Sequence, residues 1–266
     1  MASAGAREMI FVRLGLSGLL LTPWALSFDL PPLPWQFWAW ILLLLPLELA
    51  AMVLYMRAIR DYPMALTLPY LAFTPVLVVA TGWLVLGETV SGPGIAGIVL
   101  VVAGSWLLNF EQAGRLTLAR LIAPLKAIVS NPGSRLMLGA ATIYAVTSVG
   151  GKSAMNWMPA EQFGAFYFSL LSLVTLVFVL LTRPAAIKVQ RFGFWPPLII
   201  AGSMALMVVT HFLALAQVEA AYMIAVKRTS MLFGMVYGVL LFQERHLGRH
   251  LFAGAVIVAG VMTISL

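Results

Sequence analysis

The chain has 266 residues, of which 62% are hydrophobic and only 9% are charged, and its mean hydropathy is +1.00. Soluble domains carry about 25% charged residues, so this composition excludes an ordinary soluble protein and predicts one that lies in lipid. The net charge of +7 does not indicate nucleic-acid binding, because no soluble basic domain is present to carry it. The absence of cysteine excludes disulfides, cysteine-based metal sites and thiol nucleophiles.

Long apolar runs recur along the whole chain without the alternation of a membrane barrel, so helices are the expected spanning elements. We therefore predict an all-α membrane protein, a polytopic bundle of nine transmembrane helices from two inverted repeats of four and five helices. The predicted helices are Glu8–Ser27, Trp35–Met56, Pro63–Leu86, Ile95–Leu108, Leu136–Asn156, Glu161–Thr182, Trp195–Gln217, Ala220–Phe242 and Leu251–Leu266.

Two of these helices carry local signals of their own. Arg13 interrupts the first apolar run, and no small-residue cleavage site follows it, so we interpret this run as a retained helix rather than a signal peptide. Pro69 and Pro75 cannot donate to the helical ladder and predict a break or kink in the third helix.

The distribution of charge in the loops predicts the orientation. Lysine and arginine lie in one set of alternate loops, at Arg57, Arg60, Arg115, Arg120, Lys126, Arg135, Arg183, Lys188, Arg191, Arg245 and Arg249. The other set carries only acidic charge, at Asp29, Glu88, Glu161 and Glu219. The positive-inside rule then places the first set in the cytoplasm, with Met1 inside and Leu266 outside, and we expect a multi-pass protein of a bacterial inner membrane.

An internal repeat appears when the two halves are aligned. Glu88 and Glu244 lie 156 positions apart, and the same shift matches Val102-Ala103-Gly104 with Val258-Ala259-Gly260. This predicts an N-terminal repeat at residues 1–110, a basic cytoplasmic connector at 111–134 and a C-terminal repeat at 135–266. Equivalent loops carry opposite charge, which predicts inverted halves with a binding site near the midplane. Helix Leu136–Asn156 has no mate, so either an ancestral first helix was lost or this chain starts downstream of it.

Two stretches carry a resemblance to a known family. They are YMRAIRDYPMALTLPYLAFTPVLVVATGWLVLGE followed by IAGIVLVVAG, and AAYMIAVKRTSMLFGMVYGVLLFQE followed by FAGAVIVAG. The chain resembles the EamA-type members of the drug/metabolite transporter superfamily. This resemblance implies two five-helix inverted repeats that move small metabolites, and this chain departs from it by lacking the first helix. Lys227 and Arg228 are also similar to a pair in sugar-phosphate translocators of that superfamily, although Pro63–Leu86 contains no corresponding lysine.

Lys227 and Arg228 are adjacent cations near the middle of a predicted span. Each costs about 2.5–3.5 kcal/mol at the centre of a bilayer on insertion scales, unless it meets a partner or a water-filled cavity. One interpretation is anion capture, with lysine as a point charge and arginine as a fork for carboxylate or phosphate. The other is an internal ion pair, or a contact of Arg228 with the carbonyl end of a helix.

Four further residues are candidates for substrate binding. Glu48 is a carboxylate inside an apolar helix, suited either to neutralising a cation and exchanging a proton or to a structural pairing. Lys152 follows Gly150-Gly151 and either approaches a ligand or extends toward the membrane surface. His211 either contacts the solute or bonds a neighbouring helix, and Tyr222 either offers a hydroxyl to a cavity or packs between helices.

The motifs that are missing narrow the function. The sequence has no phosphate-binding glycine-rich loop, no paired carboxylates, no HExxH motif and no nucleophile elbow, so we expect neither ATP-driven transport nor an enzyme. We predict a secondary transporter of a small anionic or zwitterionic organic solute, working by alternating access with no cofactor or metal. A non-transporting membrane scaffold or degenerate transporter paralogue is the alternative. The expected partners are the solute and the lipid bilayer, and the sequence does not indicate an oligomeric state.

Overall fold

In a computed structural model, the residues that the structure describes are 5–62, 64–108, 131–182, 189–230, 233 and 247–264. Every regular element within these ranges is a helix. An all-helical chain is what a lipid environment requires, because a helix satisfies its backbone hydrogen bonds within one segment.

The first helical run has three parts, which are α1 at Ala6–Ile10, a π-helical segment at Phe11–Leu16 and α2 at Ser17–Ala25. The helices that follow are α3 at Trp35–Asp61, α4 at Met64–Leu71, α5 at Thr74–Leu86, α6 at Gly92–Leu108, α7 at Pro132–Ala154, α8 at Ala160–Thr182, α9 at Trp195–Leu215, α10 at Ala220–Lys227 and α11 at Leu247–Ile264. A 3₁₀ turn at Val189–Phe192 precedes α9.

Within the described ranges, three helices are long and apolar enough to cross a membrane, namely α3, α8 and α9. The stretches Thr74–Leu86, Gly92–Leu107 and Phe252–Ile264 are apolar but shorter. The predicted helix Pro63–Leu86 is two helices, α4 and α5. The predicted helix Ala220–Phe242 is helical from Ala220 to Lys227, and most of its remainder lies outside the described residues. The all-α prediction is thus supported, whereas the number of nine spans stays a prediction.

The chain folds into two compact units, residues 1–56 with 150–217 and residues 57–149 with 218–266. The first unit contains the first helical run, α3, α8 and α9. The second contains α4, α5, α6, α10 and α11, with most of α7. Each unit therefore combines helices from both halves of the sequence. The predicted repeats are a division of the sequence and stay a prediction; the predicted connector lies largely outside the described residues.

In the first unit, the first helical run packs antiparallel against α8. The Ser172 hydroxyl donates to the carbonyl oxygen of Gly15 at 2.8 Å, and a Cβ atom at Gly18 would overlap the carbonyl of Phe168. The Ser17 hydroxyl donates to the carbonyl of Arg13. A π-helical turn departs from the regular hydrogen-bond pattern, so two serine hydroxyls bond carbonyls within it.

An ion pair between a buried carboxylate and an exposed guanidinium holds the beginning of this run. The Glu8 carboxylate is 4% exposed and accepts from the Arg191 guanidinium at 2.8 Å and from the Gly5 N–H at 2.7 Å. Arg191 lies in the 3₁₀ turn before α9, so the pair ties α1 to that turn.

In the second unit, α6 and α11 pack antiparallel through small residues. A Cβ atom at Gly260 would lie 2.7 Å from the Gly97 carbonyl oxygen, and one at Gly104 would lie 2.9 Å from the Ala253 carbonyl oxygen. The 156-residue shift relates the two contacts to each other, because Gly104 is equivalent to Gly260 and Gly97 is equivalent to Ala253. Lipid tails are as apolar as the helices, so close backbone approach and van der Waals contact drive such packing.

We predict that Gly260→Ala lowers the free energy of unfolding by about 1–3 kcal/mol, because the added methyl group meets backbone atoms that cannot move independently. Gly202→Ala on α9 is the matched control, since no heavy atom lies within 4 Å of the Cβ position there apart from its chain neighbours and the backbone of its own helix. This control should be neutral or stabilise the protein by up to about 1 kcal/mol, because alanine favours a helix more than glycine does. Unfolding in detergent measures both, and equal effects would contradict the close approach of α6 and α11.

We also predict that Glu8→Ala destabilises the protein by about 1–2 kcal/mol, because it removes the acceptor for a charged donor and for a helix-terminal N–H. The contrasting variant is Asp61→Ala, whose carboxylate lies 3.5 Å from Arg60 with both side chains well exposed. Exposed pairs of this kind contribute about 0–1 kcal/mol. Thermal unfolding of the two variants would contradict the assignment if Asp61→Ala were the more damaging.

Candidate functional site: paired helix breaks and intramembrane charges

Two apolar helices of the second unit are interrupted at equivalent positions. In the first half, α4 ends at Leu71 and α5 begins at Thr74. In the second half, α10 ends at Lys227 and a turn follows at Arg228-Thr229. Moved by 156 positions, the bounds of α4 coincide with those of α10. The sequence predicts the first break from its prolines, and it contains no glycine or proline at the second.

The two breaks satisfy their backbone groups in the same way. The N–H of Phe73 donates to the Tyr70 carbonyl at 3.2 Å, and its equivalent, the N–H of Thr229, donates to the Val226 carbonyl at 2.9 Å. A threonine hydroxyl bonds the last turn at each site, Thr74 to Leu71 at 2.6 Å and Thr229 to Val226 at 2.8 Å. Carbonyls released at a helix end need such partners where water is absent.

The predicted basic pair lies at the second break. Lys227 is the last residue of α10 and Arg228 is its C-cap, and both are half-buried. The carbonyl end of a helix carries partial negative charge, which favours a cation there. Both side chains also interact with other groups of the protein. An incoming anion would therefore join or exchange existing contacts.

The N-terminus of α10 is held by the connection between α5 and α6. Glu88 accepts from the N–H of Ala220 at 3.0 Å, whereas the side chain of Glu219, at the N-cap, makes no capping bond. The Tyr222 hydroxyl bonds the Ser91 N–H at 3.0 Å and lies 3.1 Å from the Ser91 hydroxyl. The structure thus places Tyr222, a predicted substrate ligand, in a contact with this connection.

The other predicted site residues lie in the first unit. Glu48 is the central residue of the 27-residue α3, with thirteen residues on either side. Lys152 lies in the last turn of α7, and the His211 ring packs edge-on against the Phe212 ring on α9 with centroids 5.1 Å apart. All three side chains are half-buried. The six candidates therefore divide evenly, with Lys227, Arg228 and Tyr222 in one unit and Glu48, Lys152 and His211 in the other.

Tyr167 on α8 is a residue that the sequence does not single out. Its side chain is 4% exposed, and its hydroxyl has no hydrogen-bond partner among the described residues. Within the described ranges, no group of three His, Asp or Glu side chains is placed to hold a metal ion.

The EamA-like transporter family model matches residues 1–110 and 131–266, which is most of the chain in two segments. The chain belongs to the EamA-like transporter family. As a family member with long apolar helices, it is an integral membrane protein of transporter type. A solved crystal structure is similar over 99% of this chain and 90% of its own, with a TM-score of 0.72 and 16% identity, and supports the fold. No curated protein matches this sequence.

We predict that Glu88→Ala destabilises this EamA-like protein by about 0.5–2 kcal/mol, as the loss of an N-terminal helix cap does. Glu88→Gln retains an acceptor oxygen and should therefore destabilise the protein less than Glu88→Ala. Glu219→Ala is the control, because it removes an acidic side chain beside the same helix end that makes no capping bond. Thermal unfolding in detergent measures the series, and a larger loss for Glu219→Ala would contradict this assignment.

Proposed function

We propose that this protein is a secondary carrier that moves a small anionic or zwitterionic organic solute across a bacterial inner membrane by alternating access. The observation that carries the proposal is the pair of helix breaks at repeat-equivalent positions, with two cations at one of them. Interrupted helices in corresponding positions of two halves are typical of transporter binding sites, where helix ends meet solute or ion charges.

The proposed architecture is nine spans in two inverted repeats. Support comes from α6 and α11, which are repeat-equivalent and pack antiparallel through reciprocal contacts. The first helical run and α8 are also equivalent under the shift, and they pack antiparallel as well. Antiparallel packing of equivalent helices is what a two-fold axis in the membrane plane produces. Rocking of such halves against each other is the usual basis of alternating access.

In this proposal Lys227 and Arg228 bind the anionic group of the solute. Both residues lie at the C-terminus of α10, where the helix dipole stabilises positive charge. Arginine can grip a carboxylate or phosphate with two parallel hydrogen bonds, and lysine adds a point charge. The half-buried state of both side chains leaves part of each accessible.

Glu48, Lys152 and His211 are the proposed polar contacts of the first unit. Glu48, central in α3, is suited to a donor group of the solute or to a coupling proton. Lys152 supplies positive charge, and His211 supplies a hydrogen bond. Tyr222 is proposed to contact the solute only when its hydroxyl leaves Ser91, so its contribution would be limited to one conformation.

The alternative is a non-transporting scaffold whose charges serve only internal contacts. Lys227 and Arg228 already interact with other groups of the protein, and this observation favours the scaffold alternative. The two functions differ in one measurable respect, because a scaffold exchanges no solute across a sealed membrane.

We predict that reconstituted protein exchanges at least one of four labelled anions, succinate, malate, aspartate or glucose 6-phosphate, in a counterflow assay. Lys227→Ala and Arg228→Ala should each lower exchange at least about tenfold, the effect of losing one charge-assisted hydrogen bond. The exchange rate of Arg228→Lys should lie between those of the alanine variants and that of the parent, because lysine keeps the positive charge and loses the bidentate geometry of the guanidinium.

Arg60→Ala is the matched control, since it removes an exposed cation from the end of α3 and should leave exchange unchanged. Size-exclusion profiles and unfolding temperatures separate loss of transport from loss of folding. Failure of all four anions to exchange would contradict the proposal. Unfolding of both alanine variants, together with no exchange by the parent, would support the scaffold.

A further inference from the structure

The buried position of the Tyr167 hydroxyl is energetically costly. The side chain is 4% exposed and the hydroxyl has no partner in the described part of the chain. A buried hydroxyl without a hydrogen bond costs about 1–3 kcal/mol, and most such groups in proteins find a partner. Replacing it by a hydrogen atom would remove that cost, so stability alone does not explain a tyrosine here.

The ring of Tyr167 is fixed by its neighbours. It stacks on Phe163 with centroids 5.7 Å apart and planes 7° from parallel, and it meets the Phe212 ring at 6.2 Å and 78°. A phenylalanine ring would make the same contacts. Aromatic packing therefore specifies a ring at this position, and only the hydroxyl distinguishes tyrosine from phenylalanine.

Three segments that carry candidate site residues converge on this cluster. Phe37 of α3 meets the Phe163 ring with centroids 6.3 Å apart. Gly151, which precedes Lys152 on α7, faces Phe212, because a Cβ atom there would lie 3.2 Å from that ring. His211 precedes Phe212 on α9 and contacts its ring. Tyr167 thus belongs to the same neighbourhood as the polar candidates of the first unit.

We propose that the Tyr167 hydroxyl binds a hydrogen-bond donor of the solute, either a hydroxyl or an ammonium group. A phenol oxygen accepts hydrogen bonds, so an unbonded one complements such a donor. This assignment rests on the proposed transport function. It adds a specificity-determining residue, because a site built to bond a polar group discriminates against an analogue that lacks it.

The test uses three probes that differ at one carbon, namely succinate with hydrogen, malate with hydroxyl and aspartate with ammonium. In counterflow by the parent protein, malate or aspartate should compete better than succinate. Tyr167→Phe should reduce that preference about tenfold, the effect of one lost hydrogen bond. The unfolding temperature of Tyr167→Phe without solute should stay equal or rise, since an unbonded hydroxyl is removed. The probe that loses its advantage identifies the donor as hydroxyl or ammonium.

Thr175→Val is the matched control on the same helix. Its hydroxyl is fully buried and likewise has no partner in the described ranges, and it lies eight residues, about 12 Å, further along α8. This variant should leave the probe preference unchanged. The assignment is overturned if Tyr167→Phe retains the full preference, if the parent prefers succinate, or if Tyr167→Phe lowers stability and transport together. No exchange of any probe by the parent overturns the transport function as well.

Discussion

The constraint on which this structure depends is that no backbone polar group can remain unsatisfied where water is absent. A continuous helix meets this requirement without help, and a broken one does not. At both breaks of the second unit, a backbone N–H and a threonine hydroxyl donate hydrogen bonds to carbonyls of the final turn. The interruption is therefore built into the fold at two equivalent positions. The proposed transport function depends on this pair of interruptions.

The helices must also associate without a hydrophobic driving force. Close approach of their backbones makes this association possible. Gly18 against α8, and Gly97, Gly104 and Gly260 between α6 and α11, lie where a larger residue would meet backbone atoms. These contacts fix which turn of one helix faces which turn of its partner. The partners are equivalent under the predicted 156-residue repeat, and between α6 and α11 the contacts are reciprocal, Gly97 with Gly260 and Ala253 with Gly104.

The sequence predicts the long helices well, and the reason is local. Trp35–Met56, Glu161–Thr182 and Trp195–Gln217 are apolar runs bounded by polar residues or prolines, and α3, α8 and α9 begin within one residue of them. The break after Lys227 could not be located in the same way, because the apolar pattern continues through it. The bond from Tyr222 to Ser91 joins positions 131 residues apart and leaves no local signal. Tyr167 could not be distinguished either, since its flanking phenylalanines belong to the same aromatic core, and it is set apart only by the lack of a hydroxyl partner among the described residues.

The two breaks share their geometry and differ in charge. At the end of α4 stand Leu71 and Ala72, and at the equivalent end of α10 stand Lys227 and Arg228. Each helix end contributes a partial negative charge of about half an elementary unit. Lys227 and Arg228 place positive charge beside the negative end of α10, whereas the residues at the end of α4 are apolar. In the proposed function, this difference gives one break a group that binds the anionic end of the solute and leaves the other break without one. An unlike pair of breaks suits a solute with unlike ends better than a symmetrical one.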